Sequence, residues 1–228
     1  MQTLGIILGA NIGTCLTVQL FALNLDILSI PTIIFGVLML LFKKFRVAGY
    51  ALFGFGLLFL GLLIMTRGTA YLQYSPSFLG FLLATNTHAV YGVLAGMITT
   101  ALVQSSSVVT GVVLVLARQG LISLPAAIAI TLGSNIGTCF TSALVGIGGN
   151  TAARQVGIAH ILLNIIGVMI FLPLLNPFAR LVNFTSGNLP QQVANVHLIF
   201  NLISSLAVLP FVKQFARLVY FFTPRKLS

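Results

Sequence analysis

The sequence predicts an all-α integral membrane protein, an inverted-repeat transporter with discontinuous helices and a re-entrant hairpin. Three observations predict it. First, the 228 residues are 58% hydrophobic and only 5% charged, with a mean hydropathy of +1.12, whereas a soluble domain carries about 25% charged residues. Second, a ten-residue stretch occurs twice. Leu8 to Thr17 reads LGANIGTCLT and Leu132 to Thr141 reads LGSNIGTCFT, identical at eight positions and offset by 124. Third, both copies carry Asn, Thr and two glycines inside apolar segments. Polar, helix-breaking residues repeated at membrane depth point to a transporter binding site.

Eleven Lys and Arg stand against one acid, Asp26, for a formal net charge of +10. The basic residues fall singly or in short groups between apolar spans. That pattern reads as orientation signals, not as a nucleic-acid surface. Cys15 and Cys139 occupy the same place in the two motif copies and read as small buried packing residues, not a disulfide framework. Two thiols without a nearby His or acid are too few for a transition-metal site. No cofactor is called for, and no cleavable signal peptide precedes the first motif.

A membrane span needs about 20 apolar residues, fewer where it is broken or re-entrant. The segment 4–23 reads as a span interrupted by the first motif. Segments 27–42 and 47–65 follow as spans, with Lys43, Lys44 and Arg46 between them. Segment 71–83 is short and bounded by Pro76, which suits the interface. Segments 89–103 and 108–117 flank Gln104, Ser105, Ser106 and Ser107; neither spans alone, so together they predict a re-entrant hairpin with a polar tip. Segment 121–147 carries the second motif, 156–175 and 193–212 read as plain spans, and a basic tail follows.

With the C-terminal tail in the cytoplasm, this layout puts Lys43, Lys44, Arg46, Arg154, Lys213, Arg217, Arg225 and Lys226 inside and Arg67, Arg118 and Arg180 outside. The asymmetry fits the positive-inside rule. The two motif segments then cross in opposite directions, each followed by two spans, which is an inverted repeat. The expected division is 1–66 as the remainder of the first repeat, 67–88 as a connector, 89–212 as the second repeat and 213–228 as a basic cytoplasmic tail. The QSSS tip lies 29 residues before Gly133, so its counterpart would lie before Met1. The first repeat is therefore expected to lack its hairpin, as in a fragment, or to draw it from another copy; a homo-oligomer stays open.

Four adjacent hydrogen-bonding side chains, Gln104 to Ser107, precede a half-helix whose N-terminus offers free N–H groups and the positive dipole end. Anions bind there without a formal cation, and hydroxyls or freed carbonyls can hold Na⁺. Helix capping by Ser105 explains one serine but not four polar residues. Gly133, Ser134, Asn135 and Thr138, with Asn11 and Thr14 in the first copy, predict an unwound helix whose Asn and Thr re-satisfy the backbone or face a ligand. Close packing through Gly133 and Gly137 is the competing reading.

QSSS followed by GSNIGT, paired with the upstream GANIGT, resembles the sodium-dependent phosphate cotransporter family, over nearly the whole chain. The resemblance implies inorganic phosphate as substrate, Na⁺ as coupling ion, and a site formed by the QSSS regions of both repeats. Only Gln104 to Ser107 match that motif here. Many family members have Thr where this chain has Cys15 and Cys139, which removes a hydroxyl. A location in the plasma or bacterial inner membrane follows.

A second echo pairs AHILLN at Ala159–Asn164 with VHLIFN at Val196–Asn201. Each sets His and Asn four apart on one helix face. His160 and His197 read as inter-helix hydrogen-bond partners near the membrane surface, in preference to ligand contacts. Asp26 reads as a solvated loop residue. The expected function is sodium-coupled phosphate symport by alternating access. A passive anion channel and an inactive fragment are the alternatives. An intramembrane serine hydrolase fares worst, for want of a carboxylate and a GxSxG elbow.

Overall fold

The computed structural model describes residues 2–223, with eleven α-helices and no strand among them. The helices are α1 (Gln2–Ala22), α2 (Ser29–Leu40), α3 (Arg46–Thr69), α4 (Pro76–Thr87), α5 (Ala89–Val103), α6 (Ser106–Arg118), α7 (Leu124–Gly148), α8 (Thr151–Phe171), α9 (Leu175–Asn183), α10 (Leu189–Val208) and α11 (Val212–Phe222). Among the described residues, four stretches are long and apolar enough to cross a membrane: Lys43–Tyr74, Leu124–Gly148, Thr151–Phe171 and Leu189–Phe222. Together with α1 and α2, which meet at 90°, they make the chain an all-α, multi-pass membrane protein.

Local chemistry sets the helix boundaries. Ser75, Ser123 and Asn150 cap α4, α7 and α8 by accepting from Phe78, Ala126 and Ala153 N–H, satisfying donors that no intrahelical carbonyl can reach. Pro76, Pro125 and Pro190 sit in first turns, where a missing N–H costs nothing. α5 ends at Gln104, which adopts the left-handed conformation at φ 60°. The chain reverses there, and Ser105 caps α6 by accepting from Val108 N–H at 3.4 Å. This is the hairpin the QSSS tetrad predicts.

In lipid there is little hydrophobic drive between helices, so close backbone approach through small residues does the packing. The contact between α5 and α7 is the tightest case. Gly92 and Gly96 of α5 face Ala129, Ile130 and Ser134 of α7, while Gly133 and Gly137 of α7 face Val93, Met97 and Thr100 of α5. α2 and α3 form an antiparallel pair in the same way, with Gly36 against Phe53 and Gly56 against Ile33. α6 is buried along nearly its whole length, from Val109 to Ala117, among α1, α3, α7 and α10.

Several expectations change. The GSNIGT and GANIGT segments are not unwound: α7 and α1 run through them as continuous α-helices. In the second copy the polar side chains bond back within the helix instead. Ser134 Oγ and Asn135 Nδ2 each donate to Thr131 O at 2.8 Å, and Thr138 Oγ1 donates to Ser134 O at 3.0 Å. The chain break lies only at Gln104 and Ser105. Segment 27–42, expected as a span, yields the 12-residue α2, about 18 Å long against a core of about 30 Å. Residues 213–222 of the expected tail belong to α11, where Phe215 and Val219 pack with Ala159 and Leu163; Arg225 and Lys226 lie outside the described residues. Asp26 is no solvated loop residue: its carboxylate pairs with Arg118 at 2.9 Å, with the side chain 19% exposed. Arg118 also donates to Phe21 O, which ties the end of α6 to the end of α1.

Candidate functional site

α1, α6, α7 and α8 enclose a polar cavity of about 270 Å³. Its polar lining comes from Asn11, Thr14, Ser106, Asn135, Thr138, Ser142 and His160. Larger clefts lie elsewhere, one among α8, α10 and α11 with an almost wholly apolar lining and one between α7 and α8 that shares Ser142 and adds Arg154 and Thr223. Polar groups converging in one place, not size, mark a site for a charged solute.

Each side chain reaches the cavity for a local reason. On α7, Asn135, Thr138 and Ser142 are spaced by three and four residues and share one face. Asn11 and Thr14 hold the same positions on α1. Ser106 opens α6 and is 6% exposed; the first N–H groups of that helix lack intrahelical partners, and its dipole end favours an anion. His160 comes from α8. Its Nδ1 lies 2.7 Å from Ser142 Oγ and its Nε2 lies 3.1 Å from Asn11 Oδ1.

Of the residues singled out in the sequence, Asn11, Thr14, Ser106, Asn135 and Thr138 come together here. Gln104, Ser105, Ser107, Gly133 and Ser134 do not line the cavity. Gln104 is exposed at the hairpin tip, Ser105 is the cap, and Ser107 Oγ contacts Thr14 O at 3.5 Å. Gly133 serves the contact with α5, and Ser134 is fully buried. His160 is an inter-helix hydrogen-bond partner as expected, but of the cavity wall. His197, by contrast, is fully buried with no partner for either ring nitrogen among the described residues. Sequence reasoning missed Ser142; the signal available was its place one turn beyond Thr138 on the Asn135 face.

The two echoes meet in space. Cys139 Sγ lies 3.6 Å from His160 O, and Cys15 Sγ lies 3.6 Å from His197 O. Asn164 and Asn201 donate to those same carbonyls at 3.0 and 2.8 Å. Each motif helix therefore rests on one His–Asn helix, α7 on α8 and α1 on α10. Cys15 and Cys139 are free and buried at these crossings.

The polar lining combines hydroxyls, amides and an imidazole, with no Lys or Arg. The Na⁺/Pi-cotransporter family model matches residues 1–67 and 73–205. The chain belongs to the Na⁺/Pi-cotransporter family. Among its relatives, the uncharacterized protein YqeW of Bacillus subtilis is 32% identical over 176 residues, 76% of this chain and 57% of that one. YjbB of Salmonella typhimurium, named as a candidate inorganic phosphate export protein, is 28% identical over 79% of this chain and 34% of its own length. The rat sodium-dependent phosphate transport protein 2B is 41% identical over 93 residues, 39% of this chain and 13% of that one. The chain thus spans about half of the first relative and a third of the second. No solved structure matches it. All seven polar residues lining the cavity fall within the matched segments of this Na⁺/Pi-cotransporter chain.

Proposed function

We propose that this chain carries a substrate site for inorganic phosphate and Na⁺, and that the protein moves phosphate across the membrane by sodium-coupled symport with alternating access. The observation that carries the reading is the cavity lined by Asn11, Thr14, Ser106, Asn135 and Thr138 in a chain of this family. Phosphate binds to hydroxyl and amide donors and to the α6 N-terminus. Na⁺ binds to oxygen atoms of the same walls and offsets the anion's charge.

Neutral donors suit a transporter. A fixed cation in a low dielectric would hold a dianion too tightly for release, and would be costly when the site returns empty. Na⁺ supplies that charge and leaves with the substrate. Coupling requires only that the two solutes bind one conformation better than the other. The role is transport, not catalysis: Ser106 has no base beside it, and His160 bonds to Ser142 and Asn11. The basic residues favour a cytoplasmic C-terminus, in the plasma or bacterial inner membrane.

The test is ³²P-phosphate uptake into proteoliposomes of the purified chain, with and without an inward Na⁺ gradient. Uptake that follows the gradient is the expected result. Uptake independent of Na⁺ would favour an anion channel, and none at all would reject autonomous transport by this length of chain.

A further inference from the structure

We propose that the matching asparagines of the two motif copies divide the work between the solutes. Asn11 turns its amide NH₂ to the phosphate, Asn135 turns its amide oxygen to the cation, and His160 is the positioning residue that sets the difference. This rests on the phosphate and Na⁺ reading and assigns the two solutes to atoms within it.

The two asparagines are equivalent in sequence but not in bonding. Asn135 uses its Nδ2 on Thr131 O at 2.8 Å within α7, which leaves its oxygen as the free end of a side chain that lines the cavity. Asn11 makes no such bond. Its Oδ1 faces His160 Nε2 at 3.1 Å, and its Nδ2 is buried without a partner, on a side chain 7% exposed. An amide oxygen only accepts, so His160 must carry its proton on Nε2. A neutral ring protonated there has Nδ1 as an acceptor, and the Ser142 hydroxyl donates to it at 2.7 Å. Donors and acceptors alternate without conflict from Ser142 through His160 to Asn11.

The arrangement occurs once. The position matching Ser142 in the first copy, 124 residues earlier, is Val18. His197 sits against Cys15 as His160 sits against Cys139, yet neither of its ring nitrogens has a partner among the described residues. Phosphate oxygens need donors and Na⁺ needs oxygen ligands. A buried NH₂ without a partner is costly; it is covered in this conformation, and an anion that reaches it by a small shift of the cavity wall relieves that cost. With no Lys or Arg in the lining, this NH₂ joins Ser106 and the α6 N-terminus as a donor.

The experiment is ³²P-phosphate binding to the purified chain in lipid nanodiscs, with phosphate titrated at saturating Na⁺ and Na⁺ titrated at each variant's half-saturating phosphate. His160→Leu is expected to raise the phosphate Kd about tenfold, with the Na⁺ midpoint within about twofold. His160→Gln, whose amide N–H stands in for Nε2–H, recovers most of that loss. Asn135→Leu shifts the Na⁺ midpoint instead. On the wild-type chain, ¹⁵N NMR of His160 should show Nε2 protonated and Nδ1 bare; the opposite tautomer would overturn the proposal whether or not a variant folds. So would a His160→Leu change confined to Na⁺, or no rescue by Gln. Normal phosphate binding in His160→Leu rejects this assignment alone, whereas a wild-type chain that binds no phosphate rejects the functional reading with it.

Discussion

Ser105 and Ser106 are neighbours with different work. The Ser105 hydroxyl caps α6, whereas Ser106 lines the cavity and is 6% exposed. A hydrogen bond to a charged group contributes about 1.5–3 kcal/mol, so Ser106→Ala should raise half-saturating phosphate by roughly tenfold or more. Ser105→Ala should chiefly cost about 1 kcal/mol of stability. Uptake kinetics paired with thermal unfolding separate them; a larger affinity loss in the Ser105 variant would reverse the assignment. Gln104 holds a left-handed backbone at φ 60°, a conformation that costs a non-glycine residue about 1 kcal/mol. Gln104→Gly should therefore stabilise the hairpin by about that much. Any fall in uptake then belongs to the lost side chain and not to misfolding. Repetition and polarity in an apolar segment make Asn11, Thr14, Ser106, Asn135 and Thr138 legible in the sequence. Ser142 has no match in the first copy, where Val18 stands, so the repeat does not mark it and only its place one turn beyond Thr138 does.

At the scale of the element, the glycines of the repeat behave differently in its two copies. A Cβ on Gly133 would run into the Val93 carbonyl, and one on Gly137 would sit 2.5 Å from Met97 O. Gly9 and Gly13 have open space around them. Overpacking costs about 1–3 kcal/mol, whereas Gly to Ala in an unhindered helix gains up to about 1 kcal/mol. Gly133→Ala should accordingly lower the melting temperature in detergent and Gly9→Ala should raise it; equal effects would refute the packing account. Sequence alone could not tell these cases apart, because GxxxG spacing says nothing about whether a helix lies opposite. The expected unwinding failed for a related reason. Thr131 and Ser134 offer carbonyls within the same helix to Asn135 and Thr138, so the polar side chains are satisfied without breaking it.

The whole molecule is tied together at the far end of α6. Arg118 bridges to Asp26 at 2.9 Å and to Phe21 O, while Gln119 Nε2 donates to Thr66 O at 2.9 Å. One helix end thus joins α1 and α3 to the hairpin. Removing one partner of a largely buried pair leaves an uncompensated charge, which costs about 3–5 kcal/mol when burial is complete. With side chains 14% and 19% exposed, Asp26→Asn should cost somewhat less, about 2–3 kcal/mol. Asp26→Asn combined with Arg118→Met should recover part of that, as a double-mutant cycle would reveal. An additive cycle would mean the pair does not couple the two parts.

By itself, the sequence determined the environment, the class and the cast. Hydropathy sets membrane residence, because long apolar helices satisfy their own backbones in lipid. The QSSS tetrad between two apolar segments too short to span points to a break in the helix there, which falls at Gln104 and Ser105. The repeated motif marks which residues to watch. The tertiary structure decided which of them share a space and which partners each side chain bonds. Asn11 and Asn135 are the same residue in the same motif. Only the packing of α8 against α7 and α1, which sets His160 between Ser142 and Asn11, makes them chemically different. Such a difference arises from contacts between residues 149 apart in the chain, and periodicity along one helix carries no record of them.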